Sequence, residues 1–366
     1  MRLPSRFAPE PPYRHGQAAR TGVLFCNLGT PDAPTAPALR RYLAQFLSDP
    51  RVVELPRWLW LTILHGIILR VRPAKSAKKY ASIWTPEGSP LKVWTERQAQ
   101  ALQALFETQG HDVVVRYAMT YGNPSIPSQL DAMKAQGVNR ILVLPAYPQY
   151  SGTTTASVLD SVHRWAMTQR SVPEMRYVNR YHDEPTYITA LAARVRAHWA
   201  DQGTSDMLVM SFHGVPERTL ELGDMYHCEC HKTARLLATA LGLSPTQYRV
   251  TFQSRFGKAK WLEPYTEATV RELARQGTQR VDVVCPGFTS DCLETLEEIA
   301  MEVKAAFFEE GGRHFHYIPC LNDHPDWLAS LHGVAQRHLA GWPLQPADAA
   351  ASAASRSAAL TLGARD

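Results

Sequence analysis

Four carboxylates recur at steps of three and four along one stretch of this 366-residue chain: Asp291, Glu294, Glu298 and Glu302. At helical spacing they stack on one face, where like charges repel by about 0.2–0.5 kcal/mol per exposed pair. A cation on that face would remove the repulsion. The plainer alternative is a solvated acidic face, and position decides between them. Val281-Asp282-Val283-Val284-Cys285 just upstream is a β-rich run that predicts a buried strand. Open α/β sheets bind ligands beyond the carboxyl ends of such strands. Pro286-Gly287-Phe288 ends the strand, and Ser290 or Asp291 offers an N-cap for the helix that follows. Leu293, Leu296, Ile299, Ala300 and Val303 supply its apolar face.

His213 is the second candidate. It ends an apolar run, Met207–Phe212, and precedes Gly214, which would let a ligand approach the backbone closely. Placed opposite Glu294 across a cleft, it makes a nitrogen–oxygen pair suited to Fe²⁺, Co²⁺ or Zn²⁺ rather than Ca²⁺. An imidazole also exchanges a proton near neutral pH. Cys228-Glu229-Cys230-His231 invites a metal reading, but its spacing is C-x-C and no matching second pair occurs. Cys292 lies two residues before Glu294, which places its thiol near the stripe. No Gly-x-Gly-x-x-Gly follows a strand and no Gly-x-Ser-x-Gly is present, which argues against nicotinamide and α/β-hydrolase chemistry.

Two similar halves are expected to position these residues. Gly22–Leu28 predicts a strand, followed by Gly29-Thr30-Pro31; Met207–Phe212 predicts another, followed by His213-Gly214-Val215-Pro216. Gln136-Gly137-Val138-Asn139-Arg140 precedes a strand at 141–144, as Gln276-Gly277-Thr278-Gln279-Arg280 precedes the one at 281. Leu28 is thus the counterpart of His213, so the scaffold does not itself demand a histidine there. Helices expected at 39–47, at 92–108 and before Gly137 alternate with the strands. The expected fold is α/β, with two Rossmann-like domains, each a parallel sheet flanked by helices, and a cleft between them. The expected divisions are a disordered segment at 1–20, a first domain at 21–170, a second at 171–310, a segment at 311–343 returning to the first domain, and a disordered tail at 344–366. The first domain carries an apolar lip insertion at about 49–95. Its run Trp58–Leu69 is too short to span a bilayer of roughly 30 Å. A core helix is the default reading of this run; an exposed lip facing a flat ligand or a membrane surface is the sharper one, and for a flat ligand Trp58, Trp60, Leu61, Ile63 and Leu64, with Trp261, can supply walls.

The net charge of +5 gives no case for nucleic acid. Six scattered cysteines without a secretory apolar region before them point to a reducing, cytoplasmic setting.

Several stretches, in this order, resemble the ferrochelatase family over roughly residues 20–342. They are Leu28-Gly29-Thr30-Pro31, Gly88-Ser89-Pro90-Leu91, Tyr147-Pro148-Gln149-Tyr150-Ser151, Ser211–Pro216, Gln253-Ser254-Arg255-Phe256-Gly257 with Trp261-Leu262, and Phe288–Leu296. The resemblance, to the bacterial protoporphyrin type, implies insertion of Fe²⁺ into protoporphyrin IX with release of two pyrrole protons. It places the family's metal-site histidine on His213, its glutamate on Glu294 and its further acidic ladder on Glu298 and Glu302. Porphyrin contacts fall on Arg72, Tyr80 and Ser89, and Leu28 and Trp261 are expected beside them. Iron is a substrate, and no other cofactor is implied. Some relatives hold a [2Fe–2S] cluster, but the animal-type ligand position after Gln149-Tyr150-Ser151 is Gly152 here, and no cysteine follows Cys320. A coproporphyrin III or other tetrapyrrole chelatase, or a non-catalytic haem carrier, are the alternatives. Relatives of the coproporphyrin branch tend to carry tyrosine at Leu28, and a carrier has no need of the acidic stripe. Peripheral contact with the inner membrane through residues 58–72 is the remaining expectation.

Overall fold

The structure, a computed structural model, describes residues 5–257 and 259–365. Strands β1 (Arg20–Thr30), β2 (Val113–Gly122), β3 (Val138–Pro145) and β4 (Glu174–Tyr177) form one parallel sheet in the order β2-β1-β3-β4. Strands β5 (Met207–His213), β6 (Tyr248–Gln253), β7 (Arg280–Val284) and β8 (His314–Tyr317) form the other in the order β6-β5-β7-β8. The two orders are the same, as the repeated sequence plan implies. The central strands β1, β3, β5 and β7 read as near-continuous apolar runs because helices cover both faces of each sheet.

One apolar cluster crosses the molecule. It joins Val23, Phe25, Leu142 and Leu144 of the first sheet to Leu208, Met210 and Phe212 of the second. The helices Pro185–Gln202 and Pro325–Leu339 pack on each other within it, with Tyr187 and Trp327 fully buried. Helix Pro325–Leu339 also lies on helix Pro90–Thr108 and on β3 of the first sheet.

Four of the expected divisions differ from the structure. Residues 174–177 pair with β3 and so complete the first sheet, and residues 314–317 complete the second. Both are four-residue edge strands, too short to show a periodicity. At the N-terminus, residues 1–4 lie outside the described residues. From residue 5 the chain is not disordered but runs along the first domain: the Ala8 amide donates to the Thr168 carbonyl, and Glu10 pairs with Lys134 at 2.6 Å. The tail is likewise not structureless. Asp348 accepts from the amides of Ala350 and Ala351 and starts the helix Ala349–Thr361, where the Ala-rich composition favours helix.

Candidate active site

The carboxyl ends of β1, β3, β5 and β7 open on a cleft of about 1220 Å³ between the two sheets. Leu28, Arg72, Tyr80, His213, Trp261, Glu294, Glu298 and Glu302 all line it. Ser89 does not: it is buried beside the cleft and accepts a hydrogen bond from the Thr30 hydroxyl at 2.8 Å.

His213 ends β5. Its Nδ1 lies 2.6 Å from the Gly214 carbonyl oxygen. A carbonyl can only accept, so Nδ1 carries the proton and Nε2 keeps its lone pair for a proton or a metal ion. Gly214 is required for a reason other than ligand approach. Its amide donates to the Gln253 carbonyl at 2.7 Å, and a Cβ there would lie 2.7 Å from that same oxygen. The close neighbour is the backbone at the end of β6. Its counterpart Gly29 meets the Tyr121 carbonyl of β2 in the same way, with a φ of 112°.

The stripe is built differently from a regular helix. Glu294–Val303 form wide i→i+5 turns, then the chain continues as the helix Lys304–Glu309. Asp291 does not belong to the stripe and does not cap it. It is buried, accepts from the Tyr317 hydroxyl, from Asn322 Nδ2 at 2.7 Å and from the Cys320 amide at 3.2 Å, and so anchors the loop below the site. Ser290 is not the cap either; its hydroxyl accepts from Gln98 of the first domain at 3.0 Å.

Glu298 accepts from the Ser254 amide at 2.6 Å and from the Ser254 hydroxyl. Ser254 sits at a φ of 66°, an uncommon conformation for a residue with a side chain, which turns both donors onto one carboxylate. Gln253 Nε2 donates to the Glu294 carbonyl at 2.8 Å and reaches Glu298 at 3.4 Å. Gln253 and Ser254 are thus positioning residues that tie β6 to the stripe. They sit inside a stretch that carries the family resemblance, but residue type alone gave no role for them. Burial pushes the Glu298 carboxyl up from its ordinary range, and the Glu294 charge adds to this. Ser254 and the charge on His213 act the other way. Burial and then the Glu294 charge push the Cys292 thiol well up, so Cys292 is a protonated neighbour of the site.

Sequence spacing missed Glu297. Lys79 Nζ binds Glu297 at 3.0 Å and Glu302 at 2.8 Å. In a regular helix residues five apart point about 140° away from each other; the wide turns bring Glu297 and Glu302 to one ammonium. The outer end of the ladder is therefore closed by a lysine from the lip.

The lip supplies walls, but not the expected ones. Trp60 and Leu64 are buried with Leu39, Leu43 and Leu47, and the Trp60 indole donates to the Leu47 carbonyl at 2.6 Å. Trp58 is 76% exposed, and Leu61 and Ile63 pack behind the wall. Leu64–Ile68 form a second stretch of wide turns, which shifts the helical phase and brings Ile67, Ile68 and Val71 to the cleft with Val52 and Val53. Trp261 faces them from the second domain. The Arg72 guanidinium lies 4.6 Å from the centre of the Phe256 ring across the opening.

This arrangement can hold a flat apolar ring, pair one edge of it with a cation, and present an imidazole and carboxylates to its centre. Relatives are in keeping with it. A family profile described as ferrochelatase matches residues 20–339. A ferrochelatase of Polaromonas sp. is 67% identical over 98% of this chain and 99% of its own length. One of Methylibium petroleiphilum is 64% identical over 98% and 99%. Among solved structures, SirB from Bacillus subtilis with Fe³⁺ overlaps at a TM-score of 0.51 and 13% identity, over 88% of this chain and 96% of that one; this bears on the fold alone. With a cleft that joins the matched stretches of both halves, and a match across nearly the whole chain, the protein belongs to the ferrochelatase family.

Proposed function

We propose that this protein is a lyase that inserts Fe²⁺ into protoporphyrin IX and releases two pyrrole protons. The observation that carries the reading is His213, whose Nδ1 proton is committed to the Gly214 carbonyl while the residue lines a cleft shared with Glu294 and Glu298. The apolar walls bind the ring, and Arg72 pairs with a propionate at its edge. Remote binding of this kind can bend the macrocycle and expose nitrogen lone pairs. His213 Nε2 then takes a pyrrole proton or meets the incoming ion. Glu298, pushed up by burial, can take up a proton and pass it along the stripe. Leu28 presents an apolar side chain to the cleft, which suits protoporphyrin over the more heavily carboxylated coproporphyrin III.

No resident cluster is part of this reading. Cys228 is exposed and Cys230 buried, on different faces of the helix Tyr226–Leu241, so the pair does not converge on one ion. Peripheral membrane contact through residues 58–72 is also proposed. Trp58 and Leu59 are exposed there, outside the cleft, beside Arg57 and Arg70, and no helix among the described residues is long and apolar enough to cross a membrane.

Anaerobic incubation with Fe²⁺ and either porphyrin, followed by haem absorbance, tests the assignment. Protoporphyrin IX is the expected substrate, and His213→Ala should lower turnover by about 10²–10⁴-fold with unchanged far-UV circular dichroism. Faster turnover with coproporphyrin III, or a folded His213→Ala variant of normal activity, would overturn it.

A further inference from the structure

The reaction leaves one cluster of metal-binding side chains unused. His198, Asp282 and His316 lie on the second domain, and none of the three lines the cleft. Asp282 is in the middle of β7 and fully buried, an expensive place for a carboxylate. The scaffold does not need it: its counterpart in β3 is Leu142, from the matched sequences that lead into the two strands. Asp282 faces His316 across the β7–β8 pair, and the helix Pro185–Gln202 brings His198 over them.

The ligand atoms are already gathered. Asp282 Oδ1 lies 3.0 Å from His316 Nδ1 and 3.7 Å from His198 Nε2, and the three atoms fall within 4.8 Å of one another. Ligands about 2.0–2.2 Å from one ion sit about 3–3.5 Å apart, so only small shifts are needed. The other carboxylate oxygen, Oδ2, accepts from the Trp199 indole at 2.9 Å, the kind of outer hydrogen bond that orients a ligating carboxylate. His198 Nε2 is shielded from solvent and has no hydrogen-bond partner, as several buried ring nitrogens of this chain do, so its lone pair is free to meet an ion. Burial also lowers the pKa of His198, favouring the neutral form that ligates.

Arg280 faces the same oxygen, with Nε 3.6 Å from Asp282 Oδ1, while its terminal nitrogens are held by the carbonyls of Gln202 and Gly203 at 2.6 and 2.5 Å. Its charge offsets that of the carboxylate. This disfavours Mg²⁺ or Ca²⁺, which depend on carboxylate charge, and leaves an ion held chiefly by imidazole. We infer that His198, Asp282 and His316 form a second divalent-metal site of the Zn²⁺ class, which pins the edge strand β8 to the helix Pro185–Gln202. Binding through His316 Nδ1 would move that ring's proton from the Asp282 contact to Nε2. The site involves no group of the proposed reaction, and its existence does not depend on that reading.

The test uses the full chain with His213→Ala and Glu294→Gln, which weakens the cleft as a competing site. Equilibrium dialysis with Zn²⁺ should show one bound ion per chain, lost on adding His198→Gln. His198→Gln in the otherwise native chain should leave turnover unchanged. In case the combined variant folds poorly, diethyl pyrocarbonate labelling of the native protein gives an independent reading: Zn²⁺ should protect His316, whose ring is partly exposed. Binding that is insensitive to His198→Gln, or equal labelling of His316 with and without Zn²⁺, would overturn the inference.

Discussion

Glu298 shows what the site costs the fold. Its carboxyl is held above the ordinary value of 4.5, first by burial and then opposed by Ser254. For a carboxylic acid raised on folding, the native state holds the proton more tightly. The stabilisation is fully present below the unfolded value and is lost as pH rises through the folded one. Glu298→Gln keeps an oxygen for the Ser254 donors and removes the buried charge. The variant should therefore resist denaturant better than wild type at neutral pH and gain little below about pH 4, while turning over more slowly. An equal gain at both pH values would show that no charge is being held. Glu294 and Glu298 were legible as a pair because steps of four share a face in regular and wide turns alike. Glu297 was missed and Asp291 misread for one reason each: the first is revealed only by the wide turns, and the second by partners in β8 and the loop after it, far away in sequence.

At the scale of the elements, the lip is where the sequence pattern misled most. Its apolar run was recognisable, but which residues face the ligand depends on the helical phase, and Leu64–Ile68 shift it. Val71→Asp should raise the KM for porphyrin at least about tenfold with a smaller change in kcat, because the wall contact is made in ground and transition states alike. Trp58→Ala should leave KM in detergent solution unchanged and weaken co-sedimentation with anionic vesicles. If Trp58→Ala raises KM as Val71→Asp does, the assignment of wall and outer surface is wrong. Strand β6 carried no expectation from sequence either, although Tyr248, Val250 and Phe252 alternate with Arg249, Thr251 and Gln253 at the strand period. Yet β6 delivers Gln253 and, just past its end, Ser254 to the stripe.

The whole molecule was the most legible level, because strand runs and the repeated Gly-containing turns are local signals that a parallel sheet amplifies. What they could not reveal is how firmly the halves are joined. Gln98 is fully buried, and its Nε2 lies within hydrogen-bonding distance of the Thr289 carbonyl at 3.0 Å and the Asn322 carbonyl at 2.8 Å. Gln98→Leu strands those acceptors and should cost about 1–3 kcal/mol of stability in denaturant titrations. It should also slow turnover, since Thr289 leads directly into the stripe. An unchanged stability would mean that the Gln98 bonds do not help to hold the halves together. That contact has its own consequence. A clamshell needs a hinge, and here the hinge region is a continuous core shared by both sheets. Finished haem must therefore leave past a single yielding jaw, the lip, latched to the opposite wall where Arg72 stacks on Phe256. Egress rather than chemistry would then pace the cycle. A first-turnover burst of haem should be visible in rapid mixing, and Phe256→Leu should speed the steady state that follows it.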